Sequence, residues 1–534
     1  MNIKTSYLYS IFVSVLIMVV VLCESKVQAF DDNAHGSLSE RATQVSGLDN
    51  FLKTQLGFEF PGGTNETIFN GRRVIQLIQD GAVHEDRPIL WRPRHHFHNP
   101  RLAWDQAGWR PPPVFIQLGE SSVIWSQDPN QVVGGKHSWH DARDTYFQAL
   151  TATSDSERKR LYAETFRSLG HLIHLVQDAA TPSHTRNDTH ISYAGIGVPD
   201  GFHGWADGGD AEGMIVGSTP PAFDISTLNQ PSPDAQAPVP ISRLIDSTAG
   251  DIGLLALTPG LNLGVAEYSS ANFFSDDTIN SPNFLSPRSS QVEVRLEPDA
   301  TVTRVRPYVY FQSGFGEQDY PLALASAMLP YVIDPLATPT ENGLDTKVFR
   351  AYGTKLFPRA IGYSAGLIDY FFRGSIFVDP PLSYSGLASN PPTTITLRNV
   401  ANSTSVEETS NGTLSLVLLD AGWRSNTSET FPPVVISNPV STNISRSGQD
   451  ITFPFSSLPF PSTMGSECYP QFDSGGHYLC GSAVSFHVLL VYRGPLGEET
   501  DSVIVSRCDV GFGRVLYEGR EVFLSVSGNA EGGC

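Results

Sequence analysis

The chain has 534 residues, of which 40% are hydrophobic, and its formal net charge is -20. This length allows two or three domains of ordinary size, and the hydrophobic content is enough for a substantial core, which excludes a generally disordered chain. The acidic balance disfavours binding to nucleic acid or to anionic lipid by charge alone, because both need clustered lysine and arginine.

The N-terminus contains the apolar run IFVSVLIMVVVL, followed by CESKVQA. The run is shorter than the roughly 20 residues of a membrane-spanning helix, and the small residues that end at Ala29 are typical of a signal peptidase site. We therefore interpret residues 1–29 as a cleaved secretory signal, which makes Phe30 the first residue of a protein that is extracellular or periplasmic. An uncleaved membrane anchor is the alternative. A lipid attached to Cys23 is disfavoured because Leu22 stands where lipoprotein signals have a small residue.

From Phe30 to residue 378 the chain is predicted to be mainly helical. Residues 218–240 are rich in proline and serine and are predicted to form a loop. In residues 291–311 polar and apolar residues alternate, which predicts a strand pair inserted into the helical unit. Apolar residues recur at helical spacing in six segments: 38–58, 67–82, 141–152, 157–180, 261–276 and 357–373.

The composition changes near Asp379. Beyond it, short β-prone runs such as TLSLVLLD and SAVSFHVLLVY are separated by clusters of proline, glycine, serine and asparagine, as in a β-sandwich. The predicted fold is thus a mainly α-helical domain over residues 30–378 with an inserted β-hairpin, followed by an all-β, sandwich-like domain over residues 379–534.

Secretion affects how the cysteines are interpreted. Four of them lie in the last part of the chain: Cys468, Cys480, Cys508 and Cys534. An even number in an oxidising compartment predicts two disulfides, and Cys468–Cys480 with Cys508–Cys534 is the simplest of three pairings. A zinc site built from all four thiolates is the alternative, but it lacks the C-x-x-C spacing of such sites.

The stretch HLIHLVQDAATPSH, residues 171–184, concentrates imidazole and carboxylate side chains in an apolar helix. Residues three or four apart share a helix face, so His174 and Asp178 are neighbours, and His184 follows in the turn after the helix. A buried aspartate beside buried imidazoles needs a compensating cation. The alternative for a single pair is a hydrogen-bonded His–Asp contact that stabilises the helix end.

Three further clusters carry the same types of ligand, which favours a metal centre over separate structural pairs. Carboxylate and imidazole together suit zinc. The clusters are His203 with Asp207 at the same four-residue spacing; His84, Glu85, Asp86, His95, His96 and His98 in GAVHED and RHHFHNP; and FDDNAH, where cleavage would free the amine of Phe30 close to His35.

Together these residues resemble the zinc-dependent phospholipase C and single-strand-specific nuclease superfamily, over roughly residues 30–376. The resemblance rests on three motifs: H-x-x-x-D-x-x-x-x-x-H at His174, Asp178 and His184; HF-x-x-P, which selects His96; and G-x-x-x-x-D, which selects Asp86. Phe30 stands where the family usually has tryptophan. Asp207 is similar to the nuclease branch, whereas HFHNP is similar to the phospholipase branch.

The resemblance implies a secreted enzyme with three Zn²⁺ ions. Asp86 is the residue expected to orient or deprotonate the attacking water. His84, His95, His98 and His171 match no ligand position of the family. The implied ligands are Asp86, His96, His174 and Asp178 for the first ion; His184, His203, Asp207 and a water for the second; and the amine and carbonyl of Phe30, His35 and the bridging Asp178 for the third.

The reaction implied is hydrolysis of a phosphate ester by water that the metal ions activate. We expect a phospholipase C that releases phosphorylated head groups, with a phospholipid as its partner and a peripheral membrane contact through the C-terminal domain, as in related toxins. A single-strand-specific nuclease is the first alternative, and Phe202 and Trp205 are its candidates for base stacking unless they pack in the core. The second is a zinc-stabilised surface protein without activity.

Overall fold

The structure is a computed structural model. It describes residues 32–89, 91–111, 116–188, 201–229, 239–248, 263–279, 281, 284, 289–299, 304–314, 316–328, 343–379, 383–387, 393–403, 407–425, 430–458, 468–470, 478–517 and 520–527. The predicted signal sequence, Phe30 and Cys534 lie outside the described residues. Within the described part, no helix combines the length and the apolar character needed to cross a membrane.

The part of the chain before residue 372 is mainly helical. Its helices are α1 (Asp32–Val45), α2 (Leu48–Gln55), α3 (Val74–His84), α4 (Ser122–Trp125), α5 (Trp139–Thr151), α6 (Asp155–Ala179), α7 (Pro182–Thr185), α8 (Gly201–Ala206), α9 (Gly209–Gly217), α10 (Ser242–Ile245), α11 (Val265–Asn272), α12 (Ala325–Met328) and α13 (Thr346–Phe371).

Helix α6 is the central element of this part. Asp155 and Glu157 occupy its first turn, where negative charge interacts favourably with the helix dipole. The helix ends before Thr181, which is extended as the residue before a proline tends to be. From residue 168 to the end of α6 every side chain is buried, so the polar groups of this segment need partners inside the protein.

Two glycines bring α3 and α6 into backbone contact. A Cβ atom on Gly81 would lie 2.0 Å from the carbonyl oxygen of Arg167, and one on Gly170 would lie 2.1 Å from the carbonyl oxygen of Ile78. No other residue type fits at such a crossing without displacing a helix. The close packing places the segment that follows α3 against the C-terminal half of α6.

Three predicted elements differ from the structure. The segment 67–82 begins as a hairpin, because Asn70 and Gly71 both have positive φ, 49° and 73°, and form the tight Asn-Gly turn that connects two short strands. The segment 38–58 is divided into α1 and α2. The predicted strand pair at 291–311 has a third strand, Glu317–Leu324, whose consecutive buried residues lack strand-like alternation.

The strands of the structure are β1 (Thr67–Phe69), β2 (Arg72–Arg73), β3 (Val292–Asp299), β4 (Arg304–Gly314), β5 (Glu317–Leu324), β6 (Ile376–Asp379), β7 (Ser383–Leu387), β8 (Thr394–Asn402), β9 (Gly412–Ser425), β10 (Val434–Ile436), β11 (Val440–Thr442), β12 (Gln449–Pro454), β13 (Cys468–Pro470), β14 (Tyr478–Leu496), β15 (Glu499–Tyr517) and β16 (Arg520–Ser527). Those from β6 onward form the C-terminal β region, and the predicted boundary after residue 378 falls within β6.

Two sheets make up the C-terminal region. The larger has the strand order β10-β9-β14-β15-β16-β7, with β11 beside β9 and β13 beside β14, and the smaller has the order β12-β8-β6. Buried residues of both sheets, such as Leu397 and Val488, share one apolar core, as facing sheets do. The register sets the Cα atom of Cys468 opposite that of Cys480. The disulfide between them stays a prediction.

A buried cluster of charges joins the helical part to the β region. The Glu499 carboxylate, at the start of β15, accepts hydrogen bonds from Arg143 Nε at 2.8 Å, Trp139 Nε1 at 2.8 Å and Arg373 Nη1 at 2.6 Å. Ser502 adds a fourth donor at 2.6 Å. Because these charges are shielded from water, each depends on the others for compensation.

Candidate metal centre

The carboxylate of Asp178, on α6, lies between four imidazole rings. Its Oδ2 is 2.8 Å from His96 Nδ1 and 3.0 Å from His174 Nε2. Its Oδ1 is 3.4 Å from His35 Nε2 and 3.7 Å from His184 Nε2. All five side chains are buried. Each oxygen of one carboxylate thus faces its own pair of nitrogen donors.

The two oxygens of Asp178 do not take part in well-aligned hydrogen bonds with other described residues. Among the described residues, neither oxygen of Asp178 accepts a hydrogen bond of acceptable geometry, although imidazole nitrogens lie close to both. The nitrogens of His174 and His96 that face Asp178 are themselves 3.1 Å apart. A buried carboxylate without well-formed hydrogen bonds is costly, and nitrogen atoms that converge on it are the arrangement of ligands around a cation.

Asp86 completes a group of four donor atoms with His96, His174 and Asp178. Its Oδ1 lies 3.4 Å from His96 Nδ1 and 3.8 Å from His174 Nε2. Ligand atoms held about 2.0–2.1 Å from a tetrahedral zinc ion are about 3.3 Å apart, which is close to these separations. The residues therefore fit the first zinc ion of the resemblance. His35 lies beside the same group, since one donor atom each of His35, Asp86 and His174 lie within 4.8 Å of one another.

The outer nitrogens of three of these rings are fixed by buried oxygen atoms. His174 Nδ1 donates to the carbonyl oxygen of Ala82 at 2.6 Å, and His184 Nδ1 donates to that of His96 at 3.3 Å. His35 Nδ1 donates to the side-chain oxygen of Gln177 at 2.6 Å. With the proton on Nδ1, the Nε2 atom is unprotonated and its lone pair is directed at Asp178. Hydrogen bonds of this kind hold metal-binding histidines in one tautomer.

The electrostatics of the group also favour a bound cation. Burial raises the pKa of Asp86 to about 7, with a further contribution from the Asp178 carboxylate, although His96 opposes the rise. Burial lowers the pKa of His96, but the Asp178 and Glu85 carboxylates outweigh it and raise that pKa to about 10. Without a metal ion, protons on these groups reduce the buried negative charge. A divalent cation would compensate the same negative charge, and the protons would be released as it binds.

The remaining predicted ligands are less closely grouped. The ring of His203, in α8, lies 5.3 Å from the ring of His184, between centroids. The carboxylate of Asp207 accepts a hydrogen bond from the backbone N–H of Ala34 at 3.3 Å, at the first turn of α1. Asp207 and Ala34 also line a cavity of about 220 Å³. Phe30, the predicted N-terminal ligand, lies outside the described residues, and the third ion stays a prediction.

Glu85 belongs to one of the predicted clusters but was not selected as a ligand, and it is fully buried beside the group. Its carboxylate accepts hydrogen bonds from Arg92 Nε at 3.0 Å and Trp125 Nε1 at 2.9 Å, and it also binds the imidazole of His171. The Nε2 atom of His96 lies 3.7 Å from it. Glu85 thus supports the ring of a predicted ligand from the side opposite Asp178. A charged residue adjacent to Asp86 was the available sequence signal.

The four histidines without a predicted ligand role have other surroundings. His171 and His84 line a separate cleft of about 520 Å³. His95 stacks on Trp125, with 4.1 Å between ring centroids. His98 is buried and hydrogen-bonds Asp246 at 2.9 Å.

The two aromatic candidates for base stacking are packed in the core. Phe202 is buried and lies 6.1 Å from Phe357, between ring centroids. Trp205 stacks on the same Phe357 ring at 6.0 Å and is partly buried. Core packing, the alternative to base stacking for these rings, is what the structure shows for Phe202, and Trp205 has one face against Phe357.

Gln177 is expected to control the position of His35. Its amide nitrogen donates to Ser39 Oγ at 3.0 Å, which directs its oxygen towards His35. Replacing Gln177 with leucine should weaken zinc binding about 10- to 100-fold at the position that His35 serves, since outer-shell partners have effects of this size. Zinc titration against a competing chelator measures this. Gln127→Leu, in another buried amide that bonds to a backbone carbonyl, should leave zinc affinity unchanged.

No protein-family model matches the chain, and no curated protein matches its sequence. Among solved structures, it is similar to alpha-toxin of Clostridium perfringens from avian strain SWCP, with 9% identity and a TM-score of 0.19 over 91% of this chain and 100% of that one. It is also similar to alpha toxin from Clostridium absonum, with 11% identity and a TM-score of 0.22 over 94% of this chain and 99% of that one. TM-scores this low do not support a conclusion about the fold or the function of this chain.

Proposed function

We propose that this chain is a secreted, zinc-dependent phosphodiester hydrolase that acts as a phospholipase C and releases phosphorylated head groups. The main support is the position of Asp178, whose Oδ2 faces His96 and His174 and whose Oδ1 faces His35 and His184. Oδ2 thus faces two proposed ligands of the first ion, and Oδ1 faces His35, a proposed ligand of the third, so the carboxylate would suit a site that holds more than one cation.

Bound zinc would supply Lewis acidity to the phosphoryl oxygens and lower the pKa of a bound water. The chain's own groups would hold the ions and handle the proton. Asp86, His96, His174 and Asp178 would bind the first ion. His184, His203 and Asp207 would bind the second. His35 would bind the third together with Phe30 and Asp178.

Asp86 is the proposed acceptor of the proton from the attacking water. It follows α3 rather than lying within it, and its Oδ1 lies next to His96 and His174. Burial raises its pKa to about 7 in the absence of metal. A carboxylate near a metal site, within reach of a bound water, can orient that water and hold its proton until the leaving group takes it.

A phospholipid is favoured over single-stranded nucleic acid as the substrate. Phe202 is buried, and Trp205 is partly buried with its ring against Phe357, which limits the aromatic surface that could stack on bases. The formal net charge of -20 adds repulsion along a polyanion, whereas a lipid presents a single phosphodiester to the metal centre.

The test is release of phosphorylated head group from phosphatidylcholine micelles by the mature chain, with bound zinc measured by elemental analysis. We expect three zinc ions per chain, and head-group release that chelation removes and added zinc restores. His184→Ala should remove both zinc and activity, whereas His84→Ala, at an exposed histidine outside the group, should remove neither. Zinc without lipid hydrolysis, but with cleavage of a single-stranded oligonucleotide, would show that the substrate is wrong. Zinc with neither activity would support the non-enzymatic alternative.

A further inference from the structure

Five large apolar side chains are exposed on three segments close to the metal-binding part of the sequence. We refer to them together as the apolar surface: Ile89 is 38% exposed, Trp91 51%, Ile116 61%, Leu118 46% and Val132 80%. Single exposed apolar residues are normal, but a group of large ones on neighbouring segments is typical of a binding surface.

The other two segments each touch the one that carries Ile89 and Trp91. On one side, a Cβ atom on Gly119 would lie 1.9 Å from the carbonyl oxygen of Arg94, and the N–H of Glu120 donates to His95 Nδ1 at 3.1 Å. The segment that carries Ile116 and Leu118 therefore packs directly on the one that carries Trp91.

Contacts of the same kind join the third segment. Arg92 Nη1 donates to the carbonyl oxygens of Val133 and Gly135, both at 3.2 Å. A Cβ atom on Gly134 would lie 2.7 Å from the carbonyl oxygen of Arg87. The segment of Val132 thus packs on the segment of Ile89 and Trp91 as well, and the latter lies at the centre of the three.

The central segment of this region is basic, although Arg92 is buried against Glu85 and the acidic Glu120 follows Leu118. Residues 87–110 contain five arginines and one acidic residue, Asp105, in a protein with a formal net charge of -20. The guanidinium of Arg94 lies over the ring of Trp91, 4.6 Å from its centroid. Tryptophan and aliphatic side chains interspersed with arginine suit a membrane interface, where the apolar groups enter the acyl region and arginine meets phosphate.

The covalent chain connects this region to the metal centre. Residues 87–95 begin directly after Asp86 and end directly before His96, two proposed ligands of the first ion. A lipid interface in contact with Ile89 and Trp91 would therefore lie against the loop that holds the centre.

We infer that the apolar surface docks the protein on a phospholipid interface and presents aggregated lipid to the metal centre. This inference rests on the proposed function and deepens it, because it assigns membrane contact to the helical part of the chain. Aliphatic side chains favour hydrocarbon over nucleic-acid bases, and the basic stretch complements lipid phosphate. A second copy of this acidic chain would meet like charge over most of its surface.

The test is binding of the full chain to phosphatidylcholine vesicles, measured by co-flotation at low temperature to limit hydrolysis. The variants are Trp91→Ala and the double substitution Ile116→Ser with Val132→Ser. We expect each to raise the Kd for vesicles about tenfold or more, which is the change produced by losing about 1.4 kcal/mol of binding free energy. The control, Leu296→Ser with Val305→Ser, removes exposed apolar groups from strands β3 and β4 and should change the Kd less than twofold. Thermal unfolding verifies that each variant is folded.

Equal binding by the wild type and both apolar-surface variants would overturn the inference. An equal loss of vesicle affinity in the control variant would also overturn it. So would the finding that the apolar-surface variants abolish a dimer or an oligonucleotide complex and leave vesicle binding unchanged. Hydrolysis of a water-soluble, short-chain phosphocholine diester by the wild type tests the proposed function separately. Vesicle binding that depends on the apolar surface, without that hydrolysis, would support docking and contradict the proposed function. Hydrolysis without vesicle binding would contradict docking alone.

Discussion

Replacing Asp178 with asparagine should lower phosphodiester hydrolysis more than about 100-fold and remove more than one zinc ion from the protein. Residues that only support a ligand typically affect affinity or activity 10- to 100-fold, and Asp178 faces donor nitrogens with both of its oxygens. An amide retains the shape but loses the negative charge, and its NH₂ group cannot bind a cation. Zinc content by elemental analysis and head-group release measure the two effects.

Asp246→Asn is the matched control for Asp178→Asn. Asp246 is also a buried aspartate, and it hydrogen-bonds one imidazole, that of His98, at 2.9 Å and Trp104 Nε1 at 2.8 Å. Its replacement should lower stability but leave the zinc content unchanged. If Asp178→Asn retains all of its zinc, or if both variants lose zinc equally, then Asp178 does not bridge the ions, and its contacts stabilise the fold without serving catalysis.

The proximity of these four side chains could be predicted in part, because two of them are local in the chain and the other two lie in short motifs. His174 and Asp178 are one helical turn apart, and that spacing alone puts them on one face of α6. Asp86 and His96 were selected by short motifs of the resemblance. The structure brings all four together, since the glycine contacts between α3 and α6 align the segment after α3 with that helical turn.

The supporting roles of Glu85 and Gln177 could not be predicted, because the partners that these residues contact are distant in sequence. Glu85 meets Trp125 and His171 only when α4 and α6 pack around it. Helical or strand periodicity does not predict such a contact, and a glutamate is more often exposed than buried. Gln177 is a similar case. Its position in α6 gives no sign of a special role, and its partners Ser39 and His35 come from another helix, α1.

The partners of Glu499 are even farther away in the sequence. Replacing Glu499 is the second change for which we expect a large effect, here on stability. Glu499 is 356 positions from Arg143 and 126 from Arg373. Glu499→Gln should lower the free energy of unfolding by about 3–5 kcal/mol, because it removes the carboxylate that compensates the buried Arg143 guanidinium. Arg373 retains a second buried carboxylate, that of Glu407, at 2.9 Å. Urea unfolding measures the change. Asp501→Asn, on the same strand, loses the partly exposed partner of Arg493 and should cost less than about 1 kcal/mol.

The same carboxylate should make stability depend on pH in the acid range. Burial opposes its ionisation, but Arg143 and Arg373 outweigh burial and lower the pKa of Glu499 to about 2. A carboxyl whose pKa is lower in the folded state stabilises fully above its unfolded pKa, about 4.3 for glutamate, and loses that contribution as the pH falls towards 2. The wild type should therefore lose stability over this window more steeply than Glu499→Gln, which has no proton to gain there. Parallel losses in the two proteins would show that the cluster does not hold the helical part against the β region.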